Sequence, residues 1–195
     1  MPTVLMVVAP KDFRDEELFE TKAVLEGHGY KVDVASEKVE TARGMLGAEV
    51  DVDTDLHDVD VADFLAILFV GGSGAEGYFK SAKALNLARK ANKQGKVVAA
   101  ICIAPSILAN AGILKGKRVT SWIDEKKNLR AKGATWLEEA VVTDGNIVTA
   151  CGPKAARAFG EAIVKAIEAT KLEPEARERH LEGEGRQRRK RHGLY

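Results

Sequence analysis

The chain has 195 residues, of which 45% are hydrophobic and 30% charged, a composition typical of one globular α/β domain with a well-formed core. Its formal net charge is only +1, so the composition does not favour nucleic acid or a membrane as a partner. No apolar run approaches the roughly 20 residues that cross a bilayer, and the first residues are typical of a strand rather than a secretion signal. The two cysteines, without an export signal, indicate a reducing compartment, and we expect a cytoplasmic location.

Apolar runs alternate with amphipathic stretches along the chain, a pattern that predicts repeated β-α-β units. The expected strands are 3–9, 30–35, 64–70, 97–101, 118–121, 141–143 and 147–150, and the expected helices are 15–27, 79–94, 105–112 and 153–171. The acidic stretch 50–60 is expected to form a short hairpin at the sheet edge. The order predicts a mostly parallel sheet with helices on both faces and a site at the carboxyl ends of its strands.

The end of the chain differs in composition from the rest. From Arg177 to Tyr195 there are seven Lys or Arg against three Glu, and almost no apolar side chains. Such a segment buries too little surface to offset the entropy lost on ordering. We expect residues 1–171 to form a single domain and residues 172–195 to be a basic, disordered tail, to which we assign no role.

A glycine-rich loop follows the strand at 64–70. Gly72 to Gly77 matches the G-x-G-x-x-G dinucleotide pattern, but the loop is outside the first β-α unit and lacks an acidic residue about 20 positions further on. Adjacent glycines also allow close backbone approach, which would leave the Gly72 N–H free to stabilise an oxyanion. A plain flexible turn is the alternative. We expect no dinucleotide cofactor and, from the absence of metal-ligand spacing, no metal ion.

Cys102 stands between the strand 97–101 and a helix that begins near Pro105. A sharp strand-to-helix turn exposes a nucleophile, and the helix N-terminus is expected to lower the pKa of the thiol. The alternative is an inert cysteine of the apolar core.

The thiol needs a partner, and none of the four histidines, at positions 28, 57, 180 and 192, is well placed. Glu17 follows the first strand, so its carboxyl can reach the same sheet edge. Burial and a nearby thiolate would raise its pKa, so that it stays protonated, donates a hydrogen bond to sulfur and shuttles a proton. The alternative is a first-turn acid that favours the helix dipole, a role which Asp15 and Glu16 fill equally well.

Together these segments resemble the ThiJ/PfpI family, which includes deglycases and PfpI-type intracellular peptidases. The resemblance covers roughly residues 3–170 and rests on Phe13-Arg14-Asp15-Glu16-Glu17-Leu18, Gly71-Gly72, Ala99-Ala100-Ile101-Cys102 with Pro105, Leu114 to Ser121, and Gly152-Pro153. It implies a flavodoxin-like three-layer sandwich, cofactor-free chemistry and a homo-oligomer, a dimer or larger. It also implies roles for four residues: Cys102 as nucleophile or oxidisable thiol, Glu17 as its carboxyl partner, and Gly72 and Ile103 as backbone oxyanion donors.

Three positions depart from the family pattern. Ile103 stands where peptidase-like members have histidine, so a peptidase lacks its base. Trp122 lies in the segment where deglycase and glyoxalase members often have histidine, and it either lines a small pocket or serves plain packing. Cys151 replaces the usual arginine before Gly-Pro, and is either a resolving thiol or a buried spectator.

The resemblance therefore implies a cysteine-dependent, stress-response enzyme of the glyoxalase or deglycase type, acting on a small reactive aldehyde or a glycated protein. One alternative is an intracellular cysteine peptidase whose base is His57 or a group donated across a subunit interface. The other is a redox-sensing thiol protein or chaperone in which Cys102 is oxidised without catalytic turnover.

Overall fold

The computed structural model describes residues 1–172 of the chain. The predicted disordered tail lies outside the described residues, apart from Leu172, which is still helical. The strands are β1 Thr3–Val7, β2 Lys11–Phe13, β3 Lys31–Ser36, β4 Thr41–Gly44, β5 Glu49–Asp51, β6 Thr54–Asp55, β7 Ala66–Phe69, β8 Val97–Ile101, β9 Arg118–Val119, β10 Thr135–Trp136, β11 Val141–Asp144 and β12 Ile147–Ala150. The α-helices are α1 Asp15–Gly27, α2 Ala82–Lys93, α3 Pro105–Asn110, α4 Lys126–Ala131 and α5 156–172.

Seven strands form the central sheet in the spatial order β11-β12-β8-β7-β1-β3-β6. Neighbouring strands run parallel, with Met6 of β1 opposite Val34 of β3 and Leu68 of β7, except that β11 runs antiparallel to β12. The predicted flavodoxin-like α/β sandwich with a mostly parallel sheet is confirmed. Because β7 and β8 are parallel neighbours, the loops that follow them meet at one edge of the sheet.

Each face of the sheet is covered by its own hydrophobic core. Alternate strand residues point to opposite faces, so Val4 and Met6 pack with the helices α1 and α5, whereas Leu5 and Val7 pack with α2 and α3. The middle strands are apolar at every position because both of their faces are buried. Among residues 1–172, no helix is long and apolar enough to cross a membrane.

The predicted hairpin at 50–60 is wrong. In the structure β5 pairs with β4 in a separate sheet of order β2-β4-β5, whereas β6 joins the central sheet beside β3. The acidic side chains explain the division, because they bind backbone donors of other segments. The Asp53 carboxylate accepts the Val34 N–H at 2.8 Å, and the Asp55 carboxylate accepts the Lys38 N–H at 2.8 Å.

Two other predicted elements differ in detail. The strand expected at 118–121 is only Arg118–Val119, and it pairs with β10 in a sheet of two strands, outside the central sheet. The helix expected from residue 79 begins at Ala82, because Ser73–Tyr78 forms 3₁₀ turns and the Ser81 hydroxyl caps the helix.

Asp15 anchors the first turn of α1. Its side chain is buried, and its carboxylate accepts the N–H groups of Leu46 at 2.8 Å and Ala48 at 3.0 Å. Gly44 leaves room for it, since a Cβ at that position would lie 2.5 Å from Asp15 Cγ. The start of α1, which carries Glu17, is thereby fixed to the loop between β4 and β5.

We expect Asp15→Ala to lower the free energy of unfolding by about 2 kcal/mol, because two part-buried hydrogen bonds lose their charged acceptor. Urea unfolding measures the change. Glu20→Ala, on the same helix, is the control and should change stability by less than about 0.5 kcal/mol. Equal effects of the two substitutions would contradict the anchoring role of Asp15.

Candidate active site

Cys102 occupies a strained turn between β8 and α3. Its φ of 64° lies in the left-handed region, which residues with a side chain rarely adopt. Two hydrogen bonds hold it there: its N–H donates to the Ala150 carbonyl at 2.9 Å, and its carbonyl accepts the Trp122 N–H at 2.8 Å. The backbone therefore presents a half-buried thiol at the carboxyl edge of the sheet.

The predicted site residues converge on the sulfur of Cys102. The backbone N–H groups of Gly72 and Ile103 both donate to this sulfur, and the Glu17 carboxyl lies beside the thiol. A Cβ on Gly71 would lie 2.5 Å from Cys102 Cβ and 2.6 Å from Glu17 Oε2, which shows how closely these groups are packed.

Glu17 is a fully buried carboxyl in the first turn of α1, with an exposed fraction of 0%. Its Oε2 accepts the Gly71 N–H at 2.8 Å, whereas Oε1 is buried without a hydrogen-bond partner among the described residues. Burial raises the pKa of Glu17 to about 7. Glu17 therefore differs from Glu16, which is partly exposed and paired with Arg14, and is not simply an acid that favours the helix dipole.

The prediction that the helix N-terminus lowers the pKa of Cys102 is wrong. Burial, together with the negative charge of Glu17, raises the pKa of the thiol to about 12, although the hydrogen bonds from Gly72 and Ile103 act in the opposite direction. The helix has few donors to offer, because Pro105 has no N–H and the Ala104 N–H already donates to the Ile101 carbonyl. A thiolate is thus favoured only when Glu17 carries the proton.

The first two glycines of the glycine loop, Gly71 and Gly72, are packed closely against the start of α1. Gly72 has a φ of 94°, and a Cβ there would lie 2.6 Å from the carbonyl carbon of Phe13. The Gly71 carbonyl accepts the Arg14 N–H at 2.9 Å. The loop therefore joins the start of α1 to the cysteine turn, and close contacts require glycine at Gly71 and Gly72.

The histidines among the described residues lie away from the thiol. His28 contacts Glu161 at 3.1 Å, and His57 contacts Asp55 at 2.9 Å. His57 follows β6, which is four strands from β8, or roughly 19 Å at the usual strand spacing. The expectation that His57 supplies a base within the same chain is wrong. Within residues 1–172, no group of three or more His, Cys, Asp or Glu side chains is arranged to hold a metal ion.

Trp122 and Cys151 line one cavity of about 370 Å³. The cavity adjoins the cysteine turn, since the Trp122 N–H binds the Cys102 carbonyl and Ala150, just before Cys151, pairs with Ile101. Cys102 itself is not part of its wall. Trp122 is 44% exposed and its ring covers Gly152, so it forms a rim rather than core packing. The remaining wall residues are Thr120, Ser121, Ile123, Trp136, Glu138, Glu139 and Ala140.

Sequence reasoning missed Trp136, Glu138 and Glu139 in this wall, because β10 is too short to give a periodic signal. It also left Arg14 without a role, although this residue lies within the motif that contains Glu17. The three wall residues and Arg14 are recognised as part of the site through their place in the folded structure, which the sequence does not show.

The comparison with known families agrees with this geometry. The sequence profile described as the DJ-1/PfpI family matches residues 2–166. The chain belongs to the DJ-1/PfpI family. Two relatives differ in their sequence identity to this chain. The uncharacterized protein MJ0967 of Methanocaldococcus jannaschii is 46% identical over 168 residues, covering 85% of this chain and 82% of that protein. Deglycase PfpI of Pyrococcus furiosus is 33% identical over 163 residues, covering 84% of this chain and 98% of the deglycase.

Solved structures of DJ-1/PfpI proteins have the same fold. A ThiJ/PfpI domain protein from Brachyspira murdochii aligns with a TM-score of 0.84 and 36% identity, covering 86% of this chain and 96% of that one. DJ-1beta of Drosophila melanogaster aligns with a TM-score of 0.76 and 28% identity, covering 87% of this chain and 95% of that one.

Substituting Gly71 tests the close packing around the thiol. We expect Gly71→Ala to lower the free energy of unfolding by about 1–3 kcal/mol, since the new methyl group collides with Cys102 and Glu17. Gly77→Ala, in the next turn of the same loop, is the matched control, because a Cβ there has no neighbour within 4 Å. Thermal unfolding of both variants measures their stabilities. A Gly71→Ala variant as stable as the wild type would contradict the close packing around the thiol.

The buried carboxyl also predicts a pH dependence of stability. The pKa of Glu17 is raised from 4.5 to about 7, so the folded state binds more protons between these pH values and its stability falls as pH rises. Glutamine at this position does not titrate. We expect the stability of Glu17→Gln relative to the wild type to increase by on the order of 3 kcal/mol between pH 4.5 and pH 8.

Urea unfolding at several pH values measures this difference, with Glu20→Gln as the control on the same helix. A difference between Glu17→Gln and the wild type that stays constant with pH would show that folding does not raise the pKa of Glu17.

Proposed function

We propose that this protein is a cofactor-free, cysteine-dependent enzyme that acts on reactive carbonyls, either small α-oxoaldehydes or their adducts on proteins. The observation that carries the proposal is the buried, unpartnered Glu17 Oε1 beside the Cys102 thiol, with two backbone donors at the same sulfur. The deglycase names of relatives at about one-third identity support the same substrate class.

The first step is a proton transfer from the Cys102 thiol to Glu17. The thiolate then adds to the aldehyde carbon, a C–S bond forms, and the carbonyl π electrons move to oxygen. The Gly72 and Ile103 N–H groups, already directed at the sulfur, stabilise the oxyanion next to it, and Glu17 supplies the proton that gives the hemithioacetal.

With methylglyoxal, Glu17 next removes the proton from the former aldehyde carbon and returns one to the neighbouring carbon through an enediol. The product is a thioester of lactate, which water hydrolyses to lactate and free Cys102. The net reaction is methylglyoxal plus water to lactate and a proton, so no external oxidant or reductant is required. A carboxyl with a pKa of about 7 can give and take protons in both steps.

An adduct on an amine follows the same route. The thiolate bonds to the carbon that carries the hydroxyl and the amine, and the C–N bond breaks as Glu17 protonates the leaving amine. The 370 Å³ cavity beside Trp122 and Cys151 exceeds the needs of a three-carbon aldehyde and offers room for the amine side of such an adduct. The cavity supports a glycated protein as a substrate alongside the free aldehyde.

A second candidate is a redox-sensing thiol protein. Its support is that the Gly72 and Ile103 N–H groups bind the sulfur itself, where they would also stabilise a sulfinate. Two equivalents of peroxide convert the thiol through the sulfenic acid to the sulfinate, each releasing water. Peptide hydrolysis is disfavoured, because Ile103 replaces the peptidase histidine and His57 lies far from Cys102. A homo-oligomer remains an expectation from the resemblance, and a cytoplasmic location remains an expectation from the cysteine content.

The direct test compares lactate formation from methylglyoxal, and release of free N-acetylarginine from its methylglyoxal adduct, in three variants. We expect Cys102→Ser and Glu17→Gln to lose at least about 100-fold in kcat/KM, because each removes a reacting group. Glu20→Gln should retain wild-type rates. A wild type inactive on both substrates would refute the enzyme proposal, and oxygen gain at Cys102 under peroxide, measured by mass, would then favour the sensor.

A further inference from the structure

Two oppositely charged side chains lie near the proposed catalytic carboxyl. Arg14 and Glu16 form a two-point ion pair, in which Arg14 Nε and Nη2 donate to the two Glu16 oxygens at 2.8 and 3.0 Å. Their side chains are 31% and 33% exposed, so the pair lies at the surface, close enough for both charges to act on the buried Glu17. A planar guanidinium held by two bonds has a fixed direction, which a single contact would not give it.

The backbone of Arg14 is fixed to the same site. Its N–H donates to the Gly71 carbonyl at 2.9 Å, and its backbone packs against Gly72, whose N–H binds the sulfur of Cys102. Arg14 is therefore tied to both glycines that surround the thiol, and its charge acts on both Glu17 and Cys102.

We propose that the Arg14–Glu16 pair is a positioning element of the active site, whose two charges act in opposite directions on anion formation at the Glu17–Cys102 pair. The Arg14 guanidinium stabilises a carboxylate or thiolate beside it, whereas Glu16 opposes either anion. The effects of the two charges on the site oppose each other and largely cancel. Removing either charge therefore changes the reactivity of Cys102, in a direction that depends on which charge is removed.

The other groups around Glu17 do not provide this balance. On α1, the Asp15 carboxylate is turned away and bound to the N–H groups of Leu46 and Ala48. The loop after β7 contributes only backbone at Gly71 and Gly72, and the cysteine turn contributes the thiol itself. The charges of Arg14 and Glu16 both act on the pKa of Glu17, Arg14 lowering it and Glu16 raising it.

The proposal concerns regulation of the site on which the proposed function rests, but its test does not require carbonyl turnover. The chain has two cysteines, so a Cys151→Ser background leaves Cys102 as the single thiol. Alkylation by iodoacetamide, an uncharged reagent, is measured from pH 6 to 10, and its rate follows the thiolate fraction.

We expect Arg14→Gln to move the rate–pH curve up by roughly 0.5 pH unit and Glu16→Gln to move it down by a similar amount, as expected for partly screened charges at short range. At a fixed pH these shifts correspond to about a threefold slower and a threefold faster reaction. The double variant Arg14→Gln/Glu16→Gln should return close to the parent, and Arg14→Lys, which keeps the charge, should shift the curve less than Arg14→Gln. In 1 M NaCl both single shifts should shrink.

A merely structural ion pair would behave differently, because each single substitution breaks the same two bonds and would shift the curve in the same direction. Shifts of equal sign, or no shift in either variant, would overturn the proposal. Thermal unfolding of each variant checks that the fold is retained. If the opposite shifts occur without methylglyoxal turnover, the inference stands and the proposed function fails.

Discussion

The hydrogen bond from the Gly71 N–H to Glu17 Oε2 is the interaction on which the site depends. It joins the loop after β7 to the first turn of α1, across 54 positions of sequence. The parallel pairing of β7 with β8 then brings the same loop against Cys102. One carboxylate oxygen thus holds the loop and the helix together, and the other lies beside the thiol without a hydrogen-bond partner among the described residues, available for the proposed chemistry.

Burial determines how that chemistry can start. The same desolvation raises the pKa of the carboxyl and of the thiol, so the site disfavours two anions at once. A thiolate at Cys102 therefore requires a protonated Glu17, so the proposed nucleophile and the proposed acid share one proton. The surface charges of Arg14 and Glu16 act on this balance from outside the core. The surrounding fold holds the start of α1 in place, through the hydrogen bonds of Asp15 to the loop between β4 and β5 and through the hydrogen bonds of the glycine loop.

Sequence patterns predicted the parts of the fold that depend on continuous burial. Strands such as Val97–Ile101 are apolar at every position, and this pattern can be recognised in the sequence alone. The short strands β2, β4 and β10 gave no such signal, because two to four residues of mixed polarity show no period. The acidic stretch was misassigned because its carboxylates bind distant backbone N–H groups, which no local pattern can indicate.

The positions of the strand ends predicted a site that contains Cys102, Glu17, Gly72 and Ile103. The family resemblance indicated the roles of these residues. The direction of the thiol pKa did not follow, because it depends on whether the Ala104 N–H is already occupied and on how deeply the sulfur is buried. The sequence also did not predict the wall of the cavity, since Trp136 is placed there by the pairing of β10 with β9.

The positive φ of Cys102 has an evolutionary consequence. At φ 64° a glycine would be free of the strain that a side chain costs, on the order of 1–3 kcal/mol. The fold would therefore gain stability by losing its thiol, and drift without selection for chemistry would favour that loss. Retention of cysteine at this position in a lineage would indicate selection for the thiol, whereas relatives with glycine there are expected to have more stable folds.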